Sequence, residues 1–340
     1  MDSIKEKMQQ HLDNLTKPIG SLGRLEELSL KLAEIQGKAP PRLEKKACYV
    51  FAGDHGINAE GVSMYPQEVT EQMLRNLING GAGINVLAKH CGFDVFNVDT
   101  GIAVDTNSET VIKCRAGNGT NNFLKEEAMS QSQLEKCIEN GKKLAEQAYN
   151  DGYQLVALGD LGISNTTTAA AMVIAGGLDF DSIVDKGTGI TDDMLLTKKR
   201  VIKDSVKRHS PFSDPMDVMR KVGGFEQCTM AGFILGLREK GIGCIIDGFP
   251  VTAGTYMAWL IDNSVTDFLF AGHRSKVKGH DIILKKMGLK PIADLDMRLG
   301  EGTGAVIGGF MIELGVRIAQ EMASFESANV SESIAEEDNY

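Results

Sequence analysis

A single carboxylate, Glu301, lies in the glycine-rich segment LGEGTGA (residues 299–305), directly ahead of an apolar run that predicts a buried helix. The flanking glycines let backbone and ligand approach closely, and a helix start offers unpaired N–H groups nearby. Burial raises the pKa of a carboxylate, which then accepts protons near neutral pH. We therefore interpret Glu301 as a general base. A helix N-terminal Glu that offsets the helix dipole is the structural alternative.

A glycine loop followed by hydroxyl residues, GDLGISNTTT (residues 159–168), ends one apolar run and opens a helix of small residues. Such a loop presents backbone N–H donors to an anion, most naturally a phosphate. It lacks the spacing of a P-loop. A well-capped helix is the structural alternative. The candidate phosphate ligands are Gly162, Ser164, Asn165, Thr166 and Thr167.

A second glycine turn contains Gly187, Thr188 and Gly189, and the basic run KKR (residues 198–200) follows it. A lysine from this run reaches the same anion if a helix begins near Thr191. For Lys198 and Arg200, a solvated basic face is the simpler interpretation.

The segment GDHG (residues 53–56) leads into GVSMYPQ (residues 61–67) and a helix that contains Gln72. Polar and soft apolar groups after a strand suit a flat aromatic ligand. Asp54 and His55 are also residue types that bind metals or act as an acid/base pair. The sequence has no further residues at the spacing of metal ligands, so we expect no metal. Further residues after apolar runs are candidates to line the cleft: Asp247, Gly248, Phe249, His273 and Arg274. We expect His280 at the surface.

Apolar runs that end in Gly, Asp or His predict the strands that carry these residues. The runs cover residues 47–56, 93–102, 153–162, 243–252 and 266–273. Helical segments alternate with them, at residues 69–89, 131–150, 192–208 and 225–240. Strands without polar alternation are buried on both faces, which favours a parallel sheet. We predict an α/β fold with a doubly wound, Rossmann-like three-layer sheet, whose ligands bind beyond the carboxyl ends of the strands.

The two termini differ from this pattern and predict a small helical domain. Two helices flank the turn KPIGSLG (residues 17–23), and a helix returns at residues 310–325. We assign residues 1–42 with 310–340 to this domain and residues 43–309 to a large catalytic domain. So small a domain buries its own core poorly, so we expect its leucines to meet a second copy of the chain. These leucines are Leu12, Leu15, Leu25, Leu28 and Leu32.

The composition is 42% apolar and 24% charged, as in ordinary globular proteins, and the net charge is -10. No basic face is available for nucleic acid. No apolar run approaches the length of a bilayer span, and the N-terminus is not signal-like, so we expect a cytoplasmic protein. The six scattered cysteines predict reduced, buried thiols.

These segments together resemble the nicotinate-nucleotide–dimethylbenzimidazole phosphoribosyltransferase family along essentially the whole chain. The most specific matches are KPIGSLGRLE (residues 17–26) and LDMRLGEGTGA (residues 295–305). Weaker matches, in order, are AGDHG, GVSMYPQEVTEQML, GGAGINVLA, GISNTTTAAA, GTGITDD, GGFE, DGFPVTA and AGHRS.

The resemblance implies a role for particular residues. It places the general base at Glu301, the phosphate loop at residues 162–167, and a phosphate-contacting lysine at Lys199 or a neighbour. It places the acceptor base between Leu161 and Leu299, near Gln72, with Ser63, Met64 and Tyr65 beside the pocket. Where the family commonly carries Glu, this chain has Asp160, which we take as a second catalytic carboxylate that is one methylene shorter.

The resemblance implies transfer of 5-phosphoribosyl from nicotinate mononucleotide to 5,6-dimethylbenzimidazole or an analogue, giving an α-riboside 5′-phosphate and nicotinate. We expect no cofactor, because the donor carries a single phosphate. The acceptor stays open among benzimidazoles, purines and phenols. We expect a dimer, with a second copy or a homologous chain, and no membrane or nucleic-acid partner. The alternatives are a non-catalytic or partner-dependent homologue and a Rossmann-type nucleotide enzyme of another class, such as a hydrolase or dehydrogenase.

Overall fold

The computed structural model describes residues 3–184 and 191–331, and these divide into two compact units. The terminal unit comprises Met1–Leu43 with Phe310–Tyr340, and the sheet unit comprises Glu44–Gly309. No helix in the described ranges is long and apolar enough to cross a membrane.

A seven-stranded sheet in the order β3-β2-β1-β4-β5-β6-β7 forms the centre of the sheet unit, and every neighbouring pair is parallel. The strands are β1 Lys46–Gly53, β2 Asp94–Gly101, β3 Val111–Lys113, β4 Leu155–Leu161, β5 Gly243–Ile246, β6 Leu269–His273 and β7 Pro291–Ala293. The chain winds outward in opposite directions from β1 and β4. The predicted doubly wound α/β fold is therefore confirmed, and its switch point lies between these two strands.

Helices connect the strands, as parallel pairing requires. Those of the sheet unit are α3 Glu68–Ile78, α4 Gly83–Cys91, α5 Gln131–Asn150, α6 Asn165–Ala175, α7 Phe180–Ile183, α8 Asp192–His209, α9 Pro215–Val222, α10 Phe225–Lys240, α11 Phe249–Ile261 and α12 Lys278–Lys286, with 3-10 helices at Gly56–Glu60 and Asn263–Phe268. Helix α13, Thr303–Glu321, begins in the sheet unit and ends in the terminal unit.

The main core lies on one face of the sheet. Strand β1 is buried along its whole length, as its unbroken apolar run predicts. Its Tyr49 and Phe51 rings pack against Phe233 of α10, with ring centroids 5.0 and 5.5 Å apart. Helix α10 in turn packs against α5 and α11. This core fixes the strands whose carboxyl ends carry the candidate site.

Four elements differ from the sequence-based prediction. The helix predicted over residues 69–89 is two helices, because Gly80 adopts a φ of 77° and ends the first. The fourth predicted run is a strand only to Ile246, after which Pro250 occupies the first turn of α11. The edge strands β3 and β7 are only three residues each and were not predicted, since so short a run has no periodicity.

The terminal unit contains α1 Ile4–Asp13, α2 Arg24–Gln36, the end of α13, and α14 Phe325–Ala328. Its turn between α1 and α2 is fixed by a buried ion pair, with Lys17 Nζ 3.0 Å from Glu26 Oε1. Leu12 and Leu15 pack with Met8, Ala33 and Ala319 in one cluster. The expectation that the leucines need a second copy to cover them is wrong for Leu12, Leu15, Leu28 and Leu32, which are at most 2% exposed in the single chain. Leu25 is half-buried.

Candidate active site

Glu301 lies in a tight turn between β7 and α13 and is only 5% exposed. Its φ is 62°, between Gly300 at 91° and Gly302 at 88°, so three successive residues are left-handed. For a non-glycine residue this backbone costs about 1–2 kcal/mol. The Glu301 carbonyl passes so close to β4 that a Cβ placed on Gly159 would lie 2.5 Å from it. Glycine at position 159 is therefore required for this turn to reach the sheet.

Asp247, at the carboxyl end of β5, holds the turn in place. The backbone N–H groups of Gly302, Gly304 and Ala305 donate to its carboxylate at 3.1, 2.9 and 3.1 Å. These donors belong to the start of α13, so one buried carboxylate satisfies N–H groups that a helix N-terminus leaves unpaired. We expected Asp247 only as a residue of the cleft, and the structure shows it as the anchor of the Glu301 turn.

The Glu301 carboxyl faces the start of α4. The Cβ position of Gly83 is 3.8 Å from Glu301 Oε2, and the next residue, Ile84, has its N–H close enough to act on the pKa of the carboxyl. Burial raises the pKa of Glu301 above its usual value, the Ile84 N–H opposes this, and the charge of Asp247 adds to it. A carboxyl in this state suits proton transfer near neutral pH.

The segment after β4 together with the first turn of α6 (residues 162–168) is what we call the phosphate loop. Ser164 has a φ of 76°, and its hydroxyl donates to Asn58 Oδ1 at 2.8 Å. Asn165 Nδ2 donates to Asp160 Oδ1 at 2.5 Å. Thr167 is fully buried. Of the predicted phosphate ligands, the side chains of Ser164 and Asn165 already have protein partners, and the N–H groups of Asn165 and Thr167 bond to the carbonyls of Gly162 and Ser164. An anion at this turn would be bound by the remaining N–H groups at the start of α6.

Lys198, rather than Lys199, reaches the phosphate loop. Its Nζ donates to Thr166 Oγ1 at 2.8 Å, and the residue is 8% exposed, whereas Lys199 is half-buried. Burial lowers the pKa of Lys198 to about 8. The expectation of a solvated basic face is wrong for Lys198, because residues 198, 201, 202, 205 and 209 form the buried face of α8. Gly187, Thr188 and Gly189 lie outside the described residues.

Asp160 is buried on the opposite side of β4 from the Glu301 turn. Gly159 contacts the Glu301 backbone. Because neighbouring residues of a strand face opposite sides of the sheet, the Asp160 side chain lies on the other side. Burial raises the pKa of Asp160 well above its usual value, the charge of Glu226 adds to this, and Asn165 and His55 oppose it. Asp160 thus belongs to a buried polar cluster under the phosphate loop.

The residues predicted for the acceptor differ in exposure. Met64, Tyr65 and Leu299 are 51%, 59% and 62% exposed, whereas Leu161 is 8% exposed. Ser63 Oγ accepts the Tyr65 N–H at 3.2 Å, and Gln72 lies exposed on α3. Leu299 adjoins the start of α4, where its Cδ2 is 2.9 Å from the Cβ position of Gly83. Leu299, exposed and beside the Glu301 carboxyl at Gly83, is available to cover a flat ring.

Burial corrects the prediction of Phe249 in the cleft and that of His280 at the surface. Phe249 is 3% exposed and belongs to the core, where its ring packs on Gly279, so only backbone at Gly248 and Phe249 can face a ligand. His280 is fully buried instead of lying at the surface. Its Nδ1 accepts the Ser275 N–H at 2.9 Å, and burial lowers its pKa to about 3, so the ring is neutral. Across residues 3–184 and 191–331, no group of His, Cys, Asp and Glu is arranged to hold a metal ion.

A family model described as "Phosphoribosyltransferase" matches residues 1–330 of this chain. The chain is therefore a phosphoribosyltransferase, and its relatives narrow the class. A nicotinate-nucleotide–dimethylbenzimidazole phosphoribosyltransferase of Geobacter sulfurreducens is 45% identical over 332 residues, covering 97% of this chain and 94% of that protein. The enzyme of the same name from Chlorobaculum tepidum is 42% identical, with the same coverage.

A solved structure agrees with these relatives. The crystal structure of the enzyme of that name from Thermus thermophilus has a TM-score of 0.91 and 39% identity, covering 97% of this chain and 99% of that one. The chain belongs to the nicotinate-nucleotide–dimethylbenzimidazole phosphoribosyltransferase family.

Proposed function

We propose that this chain transfers the 5-phosphoribosyl group of nicotinate mononucleotide to 5,6-dimethylbenzimidazole or a related aromatic base, with Glu301 as the general base. The observation that carries the proposal is Glu301 itself, a buried carboxyl with a raised pKa, anchored through three N–H groups by Asp247. It lies in the loops beyond the strand ends, where open α/β sheets bind their ligands.

The chemistry asks little of the protein beyond positioning and one proton acceptor. The ring nitrogen of nicotinate mononucleotide is a pyridinium, so the C1′–N bond breaks with its electron pair returning to the ring nitrogen. The lone pair of the acceptor nitrogen forms the new C1′–N bond, and the acceptor N–H proton passes to Glu301. Attack from the opposite face converts the β-nucleotide into an α-riboside 5′-phosphate and releases nicotinate. Holding both substrates in line supplies much of the acceleration.

The N-terminus of α6 and Lys198 are the proposed site of the 5′-phosphate. A helix N-terminus offers N–H donors and a partial positive charge, and the Lys198 ammonium reaches Thr166 at the same turn. Burial alone depresses the pKa of this lysine, and no carboxylate of the described ranges acts to raise it. A buried ammonium of this kind favours an anionic partner.

The purified chain, assayed with nicotinate mononucleotide and 5,6-dimethylbenzimidazole, should form nicotinate and the α-riboside phosphate, identified by chromatography and mass spectrometry. Glu301→Gln should keep its fold and nucleotide binding and lose about 10²–10⁴-fold in kcat. Glu146→Gln, on the exposed face of α5, is the matched control and should retain wild-type kcat. A Glu301→Gln variant with near-normal kcat would refute the assignment of the base.

The acceptor we propose is a benzimidazole, because relatives of this chain are named for 5,6-dimethylbenzimidazole and the Glu301 carboxylate can take its N–H proton directly. Adenine and p-cresol in the same assay test the purine and phenol classes. A higher kcat/KM with either than with 5,6-dimethylbenzimidazole would reassign the acceptor.

We further propose a cytoplasmic dimer, either of two copies or with a homologous chain. No disulfide joins any of the six cysteines, as in a reducing compartment. Ile19 in the terminal unit is 76% exposed, and Met64 and Tyr65 in the sheet unit are more than half exposed. A subunit interface over these side chains would cover apolar surface that is exposed in the single chain. Light scattering at micromolar concentration should give twice the chain mass, and a fully active monomer would contradict the dimer.

A further inference from the structure

The segment Gly53-Asp54-His55-Gly56, at the end of β1, has no part in the reaction proposed above. Its two polar side chains are buried, with Asp54 2% and His55 0% exposed. They lie directly beneath the phosphate loop. A Cβ placed on Gly162 would lie 2.4 Å from the Gly53 carbonyl oxygen and 3.0 Å from His55 Nε2. The loop therefore rests on the imidazole ring with no room for a side chain between them.

His55 connects the phosphate loop to a second helix. Its Nδ1 is 3.0 Å from Thr168 Oγ1, in the first turn of α6. Its Nε2 is 3.3 Å from Glu226 Oε1, in the first turn of α10, and both side chains are fully buried. Low effective dielectric strengthens such a pair, and loss of either partner leaves the other buried without compensation.

Asp54 makes a second connection to the same loop. The Ala103 N–H donates to Asp54 Oδ2 at 2.7 Å. Burial raises the pKa of Asp54, and the Ala103 N–H and the nearby Thr70 hydroxyl oppose this. The same Thr70 oxygen accepts the Ile163 N–H at 3.0 Å. Residue 168 of the phosphate loop is thus bonded directly to this segment, and residue 163 is bonded to Thr70, which lies beside it.

The charges around His55 favour its cationic form. Burial lowers the pKa of His55, but Glu226 of α10, Asp160 of β4 and Asp54 raise it by more, and the net shift is upward. A cationic ring donates from both nitrogens. It can therefore hold Thr168 and Glu226 at the same time.

We propose that His55, itself held by Glu226, is the positioning residue that fixes the phosphate loop for the 5′-phosphate of the nucleotide. This inference rests on the proposed function. The ring acts through the loop and not on the reacting atoms. The Glu301 turn approaches β4 at Gly159, on the opposite side of the strand from Asp160, which adjoins His55. Loss of His55 should therefore weaken binding of the nucleotide and spare the chemical step.

The test compares His55→Gln, Glu226→Gln and Thr168→Val with wild type. We expect KM for nicotinate mononucleotide to rise about tenfold, with kcat within about threefold and KM for the acceptor unchanged. His209→Gln is the matched control, because His209 is also buried and its Nε2 is 2.8 Å from the Phe123 carbonyl oxygen, away from the loop. It should lower stability without changing KM for the nucleotide.

The dissociation constant of inorganic phosphate, measured by calorimetry, separates failure of this inference from failure of the proposed function. If wild type binds phosphate but does not turn over nicotinate mononucleotide, the proposed function fails, and a tenfold weaker phosphate affinity in the variants still supports His55. Unchanged phosphate affinity and KM in folded variants would overturn the inference, as would equal losses in kcat and both KM values. If His55→Gln does not fold, Thr168→Val decides, since it removes a single bond to the same ring.

Discussion

At the scale of single residues, Glu301 combines two features that folded chains ordinarily avoid. It has a left-handed backbone without being glycine, and it buries a carboxyl group. Each feature costs free energy, and such costs persist where function requires them. The three N–H groups bound by Asp247 offset part of the cost and hold the carboxyl in one place.

The raised pKa of Glu301 predicts the acid limb of the pH profile. Only the ionised carboxylate accepts a proton, so kcat should fall as the pH drops through a value above that of an ordinary Glu. The profile of kcat against pH measures this directly. An acid limb at or below the usual Glu range would show that burial does not tune the base.

Lys198 predicts a change on the alkaline side, in KM for the nucleotide. Its ammonium should be lost as the pH rises through about 8, so KM for nicotinate mononucleotide should increase above that pH. Lys198→Met should raise this KM about 10–100-fold at pH 7, because it removes a charged hydrogen-bond donor. Lys198→Arg should keep the KM low to higher pH.

Lys199→Met is the control for Lys198→Met, because it removes the adjacent charge without touching Thr166. If both substitutions raise KM equally, the effect is one of general charge and the direct contact has no special role.

At the scale of elements, helix α8 shows how a site residue can be predicted from periodicity. Lys198 falls in phase with Val201, Ile202, Ser205 and His209, which form the buried face of the helix. Lys199 and Arg200 fall outside it. The sequence contains this helical spacing, but a run of three basic residues is more readily interpreted as a charged, solvated face. A lysine in register with apolar residues is the signal that identifies the buried member.

The hydrogen bonds of Asp247 predict that this residue stabilises the turn that joins the sheet to α13. Asp247→Asn replaces one acceptor oxygen by an N–H₂ group that faces backbone donors. We expect the free energy of unfolding to fall by about 1–3 kcal/mol and kcat to fall as the Glu301 turn loosens. Urea unfolding and steady-state kinetics measure the two effects.

Asp262→Asn is the matched control, since Asp262 accepts the Ser264 N–H at 3.0 Å in a cap far from the turn along the chain. It should lose some stability and keep its kcat. An Asp247→Asn enzyme with wild-type kcat would show that α13 holds the turn without the carboxylate.

At the scale of the whole molecule, the doubly wound sheet brings distant loops together at one edge. Strands β1 and β4 are neighbours with Ala52 opposite Leu161, so the segments that follow them meet at the switch point. The buried polar cluster that results contains Asp54, His55, Asp160 and Glu226. Burying these polar groups lowers the free energy of unfolding by an amount that depends on which of them are charged.

The raised pKa values of Asp160 and His55 both predict that the free energy of unfolding decreases as pH rises. The folded-state pKa of Asp160 is raised, so the folded state binds a proton that the unfolded state releases, and stability falls as pH rises through that value. The raised pKa of His55 acts in the same direction, since its contribution is complete below the unfolded pKa and is lost above the folded one. Wild type should therefore be less stable to urea at pH 8 than at pH 6.

Asp160→Asn should reduce this pH dependence, because the amide is neutral at both pH values. Its stability relative to wild type should be higher at pH 8 than at pH 6. Asp151→Asn, at the exposed end of α5, controls for the loss of a charge. A difference from wild type that does not change with pH would show that Asp160 is ionised throughout.

The sequence by itself determined the fold class, the alternation of strands and helices, and the turn that carries Glu301. These features are encoded locally, because an apolar run or a glycine turn is recognised from a window of about ten residues. The family motifs are local as well, and the relatives confirm the family to which they point.

Only the tertiary structure decided the partners of the buried polar groups. His55 and Thr168 are separated by 113 positions in the chain, and Asp247 and Gly304 by 57. A buried charge or hydrogen-bond donor is stable only beside its partner, and no local pattern names a partner that the fold brings from elsewhere. The burial and the partners of Lys198, His280 and Glu226 are therefore set by the folded structure, because they depend on contacts distant in sequence.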